Sequence, residues 1–549
     1  MIIIQPEFHP LFLVRIGRGS RRIKYLGAFR LIDSKIDLMQ TCPNPRIKRL
    51  SMRFLKLPHL LAAVVLFAVG SLPCAVAAEK PNIIYILLDD AGYGDFSCYG
   101  QQKFETPNID KIATEGMRFT NHYAGSTVCA PTRCSLMTGR HTGHCQIRGN
   151  KEINPEGQSP MAAGTVTLAT LLKQAGYTTG AFGKWGLGAP GSEGDPIKQG
   201  FDIFYGYNCQ RQAHSYYPTH LWDNEERVKL DGNTYSHDLI AERSLKFVRE
   251  HKNEPFFCFI PTTIPHAAMH VPEEDAAPFR KKFPQFEKKV GKYAGRPVKN
   301  PVAAFAGMMT RLDREIGKLS ALLEELEIDD NTIIFITSDN GPHKEGGHLP
   351  DFFNSNGGLR GHKRDLYEGG IRAPLIARWP GKIAANSTSD LISAHWDMLP
   401  TFCELAGIPV PEETDGISIL PTLRGDVVTQ KNHDFLYWEF HEQGKKQAIR
   451  MGQWKGVRLK LGKNPQAPIQ LYDLSKDQAE TKDISANHPK IVEKIKQAME
   501  DSHTESAKFP FFNTTGKKKS AQHILGKKLN LITLVEPHQA LYSAQKSLK

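Results

Sequence analysis

The chain has 549 residues, enough for one large domain with a smaller one attached, and its 40% hydrophobic and 23% charged residues are those of an ordinary globular protein. The formal charge of +12 suggests a polyanion-binding surface, but the charge sits at the ends. Residues 1–78 and 511–549 together carry +15, which leaves −3 for residues 79–510 and gives no support to nucleic acid binding.

Residues 1–51 form a basic upstream extension, read either as genuine or as sequence ahead of a true start at Met52. From Met52, a basic start (Arg53, Lys56), an apolar run from Leu60 to Leu72 and the small residues Ala75, Ala77 and Ala78 predict a signal peptide over 52–78. The apolar run is too short for a stable membrane span. The protein is therefore expected in a periplasm, an exterior or a lysosome-like lumen. Nine cysteines occur, of which Cys42 and Cys74 precede the predicted mature chain. The odd remainder in an exported protein implies a free or modified thiol.

From residue 80 onward, short apolar runs alternate with amphipathic helical stretches. Strands are predicted at 81–88, 178–182, 256–261 and 332–337. Helices are predicted from Pro107 with Thr106 as N-cap, over 167–174, 236–250 and 301–326. This alternation predicts an α/β fold, a large and mostly parallel sheet flanked by helices, over 79–410. Over 411–510 the pattern changes to short strands at 435–440, 448–451, 456–459 and 469–472 and a helix at 488–500, predicting a small antiparallel subdomain. Residues 511–549 are read as a loosely attached basic tail.

In an open parallel sheet, ligands bind beyond the carboxyl ends of the strands. Asp89 and Asp90 follow the first predicted strand, Lys184 another, His266 the 256–261 run, and Asp339 and Asn340 the 332–337 run. Three carboxylates and an amide oxygen in one crevice suit a hard cation, Ca²⁺ or Mg²⁺, and would repel one another without it. Singly, each Asp reads equally well as a helix or turn cap.

The most specific segment runs from Ser126 through Cys129-Ala130-Pro131-Thr132-Arg133 to Ser135-Leu136-Met137-Thr138-Gly139-Arg140. It resembles the signature of the type I, formylglycine-dependent sulfatases, of the alkaline phosphatase-like superfamily. The residues around Asp89-Asp90, Thr337-Ser338-Asp339-Asn340-Gly341-Pro342, Pro265-His266, Leu366–Pro374 with Lys363 ahead of it, and Leu471-Tyr472-Asp473-Leu474 are similar to further blocks of that family. The resemblance implies that a maturation enzyme oxidises Cys129 to formylglycine, which would also contact the metal ion. It further implies that Arg133, Lys184 and Lys363 surround the sulfate, that Asp339 helps deprotonate the aldehyde hydrate, and that His266 protonates the leaving oxygen of a sulfated small molecule or glycan. The helix after the motif would aim its N-terminal amides at the anion.

Cys134 and Arg140 also satisfy the Cys-x5-Arg spacing of a cysteine-dependent phosphatase, but the intervening residues hold one glycine and no His precedes Cys134. One departure stands out: where the family commonly has Gly-Lys-Trp-His-Leu-Gly, with a His that assists sulfate expulsion, this chain has Gly186. His214 and His220 are candidates to replace it, and Arg148 and Asn150, close behind the signature, are candidate pocket residues. A phosphate or phosphonate monoester hydrolase of the same fold and an inactive sulfated-glycan binder are the competing readings.

Overall fold

The structure is a computed structural model that describes residues 80–512. The upstream extension 1–51, the predicted signal peptide 52–78 and all but two residues of the 511–549 tail lie outside the described residues.

A ten-stranded sheet forms the centre. Its strands are β1 (Asn82–Leu88), β2 (Met117–Phe119), β3 (Thr178–Lys184), β4 (Ile203–Tyr207), β5 (His220–Asp223), β6 (Glu226–Lys229), β7 (Phe256–Pro261), β8 (Thr332–Ser338), β9 (Leu375–Arg378) and β10 (Ser387–Ser389). They lie side by side in the order β10-β2-β9-β8-β1-β7-β3-β4-β5-β6. The five strands from β8 to β4 are parallel. Strand β9 runs antiparallel between β8 and β2, and β5 and β6 add an antiparallel hairpin at the far edge. The sequence reading missed β9 because four residues are too few to show a period.

Helices α1 (Pro107–Thr114), α2 (Cys129–Thr138), α3 (Leu168–Gln174), α4 (Ser236–Glu250), α5 (Pro301–Glu325) and α6 (Met398–Ala406) cover the two faces. The central strands are apolar on both sides, as a doubly covered sheet requires. On β1, Ile84, Ile86 and Leu88 join the core formed with α1, α4 and α5, whereas Ile83, Tyr85 and Leu87 join the core formed with α2, α3 and α6. Local signals start several helices. The Thr167 hydroxyl accepts from the Thr170 amide in a capping box at α3, and the Asn300 side chain accepts from the Ala303 amide at α5. Thr106 precedes α1 but does not cap it. Its hydroxyl accepts from the Ser97 amide at 2.9 Å, and Asp313 of α5 takes the first-turn amides of Asn108 and Ile109 instead.

Strands β11 (Leu436–Phe440), β12 (Lys446–Met451), β13 (Trp454–Arg458) and β14 (Ile469–Asp473) make the antiparallel sheet expected near the C-terminus. One face packs Tyr437, Ile449 and Leu471 on Ile495 and Met499 of α7 (Pro489–Asp501). The other sets Trp438, Phe440 and Val457 against Tyr123, Leu366 and Trp396 of the large domain. Among the described residues, no helix is long and apolar enough to cross a membrane.

Candidate active site

Because β8, β1, β7 and β3 are neighbours, the residues just past their carboxyl ends meet in one crevice. Leu88 and Ser338 are the last paired positions of β1 and β8, so Asp89-Asp90 and Asp339-Asn340 leave the sheet together. Lys184 is the final residue of β3, and His266 lies on the loop after β7. Cys129 and Arg133 come from α2. This helix begins at Cys129 itself, inside the motif rather than after it. Lys363 arrives from the segment between β8 and β9. The structure thus gathers Asp89, Asp90, Asp339, Asn340, Cys129, Arg133, Lys184, His266 and Lys363 in one place.

The Cys129 thiol donates to Asp89 Oδ1 at 3.2 Å and receives Lys184 Nζ at 3.4 Å. Lys184 also pairs with Asp89 Oδ2, and Arg133 Nη2 donates to Asp339 Oδ2 at 3.2 Å. On the opposite side, Lys363 Nζ donates to Asp90 Oδ2 at 2.8 Å and to His266 Nε2 at 3.2 Å. His266 can accept there because its Nδ1 donates to the Ala267 carbonyl at 2.7 Å. Asp90 adopts a left-handed backbone (φ 71°), held by the hydrogen bond its backbone N–H donates to Asp339 Oδ1 at 3.0 Å. That strain aims its carboxylate into the cluster.

All three carboxylates are fully buried. Burial pushes Asp89 up, but Lys184, His266, Arg133 and Lys363 overcome it and hold the group well below the usual carboxylate range. Burial and the neighbouring Asp89 together push Asp339 up to about 7 despite Arg133. The acids crowd one another enough that one of them resists ionising. Asn340 Nδ2 donates to Asp90 Oδ1 at 2.7 Å, which turns its Oδ1 inward, and that oxygen is buried without a hydrogen-bond donor. An orphaned amide oxygen beside three crowded carboxylates fits a hard divalent cation, so Asp89, Asp90, Asp339 and Asn340 are the residues that would hold it.

The crevice opens into a polar pocket of about 250 Å³ lined by Cys129, Lys184, His266 and Lys363 at its floor and by Asn150, Gln210, His214 and Tyr293 among its walls. Asn150 Oδ1 accepts from the Ala130 amide at 3.2 Å and so closes one free N–H of α2. The His214 ring stacks on His266, 5.0 Å between centroids and 3° from parallel. Burial first, then Lys184 and Lys363, push His214 down to about 3, so it is neutral at ordinary pH. Arg148, read from sequence as a pocket residue, faces elsewhere. Its guanidinium is buried against Glu439 Oε1 at 3.0 Å, the Thr504 carbonyl at 2.6 Å and the Cys145 carbonyl at 2.9 Å. His220 pairs with Glu156 at 2.9 Å and does not line the pocket. The side chain lying against Gly186 belongs to Gln210, which the sequence reading did not single out. Nothing in the sequence distinguishes this glutamine from Gln212 two positions on.

A crevice of carboxylates for a cation, ringed by buried Arg and Lys and opening on a polar pocket, defines a hydrolase site for an anionic ester. The chain belongs to the Sulfatase family, matching it over residues 81–408, and its residues 361–505 match the family described as N-sulphoglucosamine sulphohydrolase, C-terminal. It is accordingly a sulfuric ester hydrolase by class. It is 31% identical over 512 residues to the N-acetylgalactosamine-6-O-sulfatase of Bacteroides thetaiotaomicron, covering 78% of this chain and 94% of that protein. Human arylsulfatase A is 30% identical over 478 residues, covering 76% of this chain and 87% of its own length. Among solved structures, that of Ps i-CgsB in complex with k-i-k-neocarrahexaose superposes with a TM-score of 0.66 at 28% identity, covering 83% of this chain and 100% of that one.

Proposed function

We propose that the chain hydrolyses sulfate monoesters of a sulfated sugar, with Cys129, oxidised to formylglycine, as the nucleophile. The observation that carries this reading is the placement of Cys129. It stands at the first turn of α2, 3.2 Å from Asp89 and 3.4 Å from Lys184, at the floor of a pocket ringed by cations. Formylglycine would supply a hydrated aldehyde hydroxyl as the nucleophile toward sulfur, and Asp89, Asp90, Asp339 and Asn340 would hold a calcium ion that would add positive charge beside it. Lys184 and Lys363, which line the pocket, and Arg133 behind them, now paired with Asp89, Asp90 and Asp339, supply the positive charge that would meet the sulfate oxygens. The positive end of the α2 dipole, at Cys129, favours the same anion, although the Ala130 amide is taken by Asn150 and Pro131 has no N–H to offer. Lys363 and His266 share a proton across 3.2 Å, at the ring nitrogen turned toward the pocket, and deliver it to the departing sugar oxygen.

A sugar substrate is supported by the polar walls of the pocket, with the Tyr293 ring at its side, and by the names of the relatives. The basic and apolar segment ahead of the described residues supports export. Cys129 is only 2% exposed, so its oxidation by a formylglycine-generating enzyme acts before the chain closes over it. Mass spectrometry of the Cys129 peptide from the native host, with parallel aryl sulfate and aryl phosphate assays, tests the reading. An aldehyde and a preference for the sulfate ester are expected. Preferred turnover of the phosphate would make the chain a phosphate or phosphonate monoester hydrolase. An unmodified thiol without turnover would make it a glycan-binding protein.

A further inference from the structure

We propose that Gln210 is a substrate-binding residue, whose side-chain amide donates a hydrogen bond to an oxygen of the bound sulfate group from the space that Gly186 leaves open. The proposal rests on the sulfatase reading above and adds to it a neutral donor among the cations.

Beyond the paired part of the sheet, the chain after β3 stays beside the chain after β4. The Trp185 amide donates to the Tyr207 carbonyl at 2.9 Å and the Gly186 amide to the Asn208 carbonyl at 3.0 Å. This brings Gln210 across from Gly186. Gly186 has φ +79°, and a β-carbon built there would lie 2.9 Å from Gln210 Cγ and 3.3 Å from its Nε2. The two positions therefore share one space, and glycine cedes it to the glutamine. Gln210 is 4% exposed and its Nε2 is buried with no hydrogen-bond partner, although the residue lines the pocket with Cys129, Lys184 and His214. A buried N–H without an acceptor destabilises the free protein unless a ligand meets it. A sulfate oxygen offers lone pairs and no proton, which matches that donor. An amide also adds no charge beside Lys184 and Lys363, so it can join them without repulsion, and it holds an oxygen without moving a proton.

The test compares the full chain with Gln210→Leu, Gln210→Asn, Gly186→Ala and the Gly186→Ala/Gln210→Leu double variant. KM and kcat for an aryl sulfate, the inhibition constant of inorganic sulfate and the thermal midpoint are measured on each. Gln210→Leu is expected to raise KM and the sulfate inhibition constant together by about tenfold, with kcat within about twofold, because the bond is made to bound substrate and to product alike. Gln210→Asn, which keeps the amide but withdraws it, is expected to match. Gly186→Ala is expected to reproduce the effect by displacing Gln210, with the double variant no weaker than either single. Unchanged sulfate affinity in Gln210→Leu and Gln210→Asn at an unchanged midpoint overturns the proposal, as does a loss confined to kcat. If the wild type turns over no sulfate ester, the parent reading fails. Calorimetric titration of wild type and Gln210→Leu with inorganic sulfate then still decides the role of Gln210, equal affinities overturning it.

Discussion

Among the described residues, two of the regions that bury an arginine against carboxylate are built to opposite ends. At the strand tips, Arg133, Lys184 and Lys363 face Asp89, Asp90 and Asp339, yet Asn340 Oδ1, Gln210 Nε2 and Arg133 Nε remain without partners. Between the large domain and the small sheet, Glu439 receives Arg148 at 3.0 Å, His441 at 2.9 Å, Tyr437 at 3.0 Å and His503 at 2.7 Å. Neither Arg148 nor Glu439 keeps a buried polar atom without a partner. The Arg148–Glu439 pair, with its own bonds all met, acts as a latch, and the unpartnered His503 Nε2 beside it lines no pocket that the strand-tip residues share. An unsaturated cluster, lining a pocket, is where a ligand completes the bonding. Burial and charge alone do not separate function from structure; unmet valence in a residue that lines the pocket, as at Gln210, does.

The largest expected break between the two regions is at Cys129. Cys129→Ala should lower aryl sulfate turnover by at least about 10³-fold, as removal of a nucleophile does, while the thermal midpoint stays near the wild-type value. Arg148→Ala should do the reverse. Removing one partner of a buried pair costs about 3–5 kcal/mol, so denaturant unfolding should shift strongly while the folded fraction keeps its kcat. A large fall in kcat in Arg148→Ala would join the latch to the site and erase the contrast.

The latch also has a pH signature. Burial pushes Glu439 up, but His441 and His503 hold it at about 2, below its ordinary 4.5. A depressed carboxyl stabilises the fold fully above pH 4.5, and the contribution is lost as pH falls from 4.5 to 2; it amounts to about 3 kcal/mol. His503 is raised above its ordinary 6.5, Glu439 outweighing the burial that opposes it, so its share is complete below pH 6.5 and fades above the raised value. The latch is therefore strongest between pH 4.5 and 6.5. Denaturant midpoints measured against pH should fall steeply for the wild type below pH 4.5 and less steeply for Glu439→Gln.

How much of this was legible in the sequence follows from what sequence can encode. The runs that became β1 and β8 are seven buried residues each, and both end at acidic residues, so their tips and the convergence of Asp89, Asp90, Asp339 and Asn340 could be read from pattern alone. Lys363 could not: it sits in an irregular segment with no period, and only resemblance pointed to it. Arg148 was read into the pocket because it lies close behind the motif, whereas its partner Glu439 is 291 positions away and no local pattern announces it. The orphaned atoms of Asn340 and Gln210 are properties of packing, and a sequence carries no record of which hydrogen bonds fail to form.

The smallest expected effect is the most discriminating within the site. His214 was a candidate to move the proton that Gly186 cannot, but a ring pushed down to about 3 by burial, Lys184 and Lys363 is neutral at ordinary pH and is not a ready acid. Its parallel stack on His266 at 5.0 Å suits a different task, which the next variants test: to keep the His266 ring in the plane that points Nε2 at Lys363. His214→Ala should therefore lower kcat markedly, by about tenfold, as loss of orientation does, and leave the shape of the pH–rate profile above pH 5 unchanged. His214→Phe, flat but unable to titrate, should recover most of the rate. If phenylalanine fails to rescue and the profile loses a limb, His214 is a proton carrier and not a flat wall that orients His266.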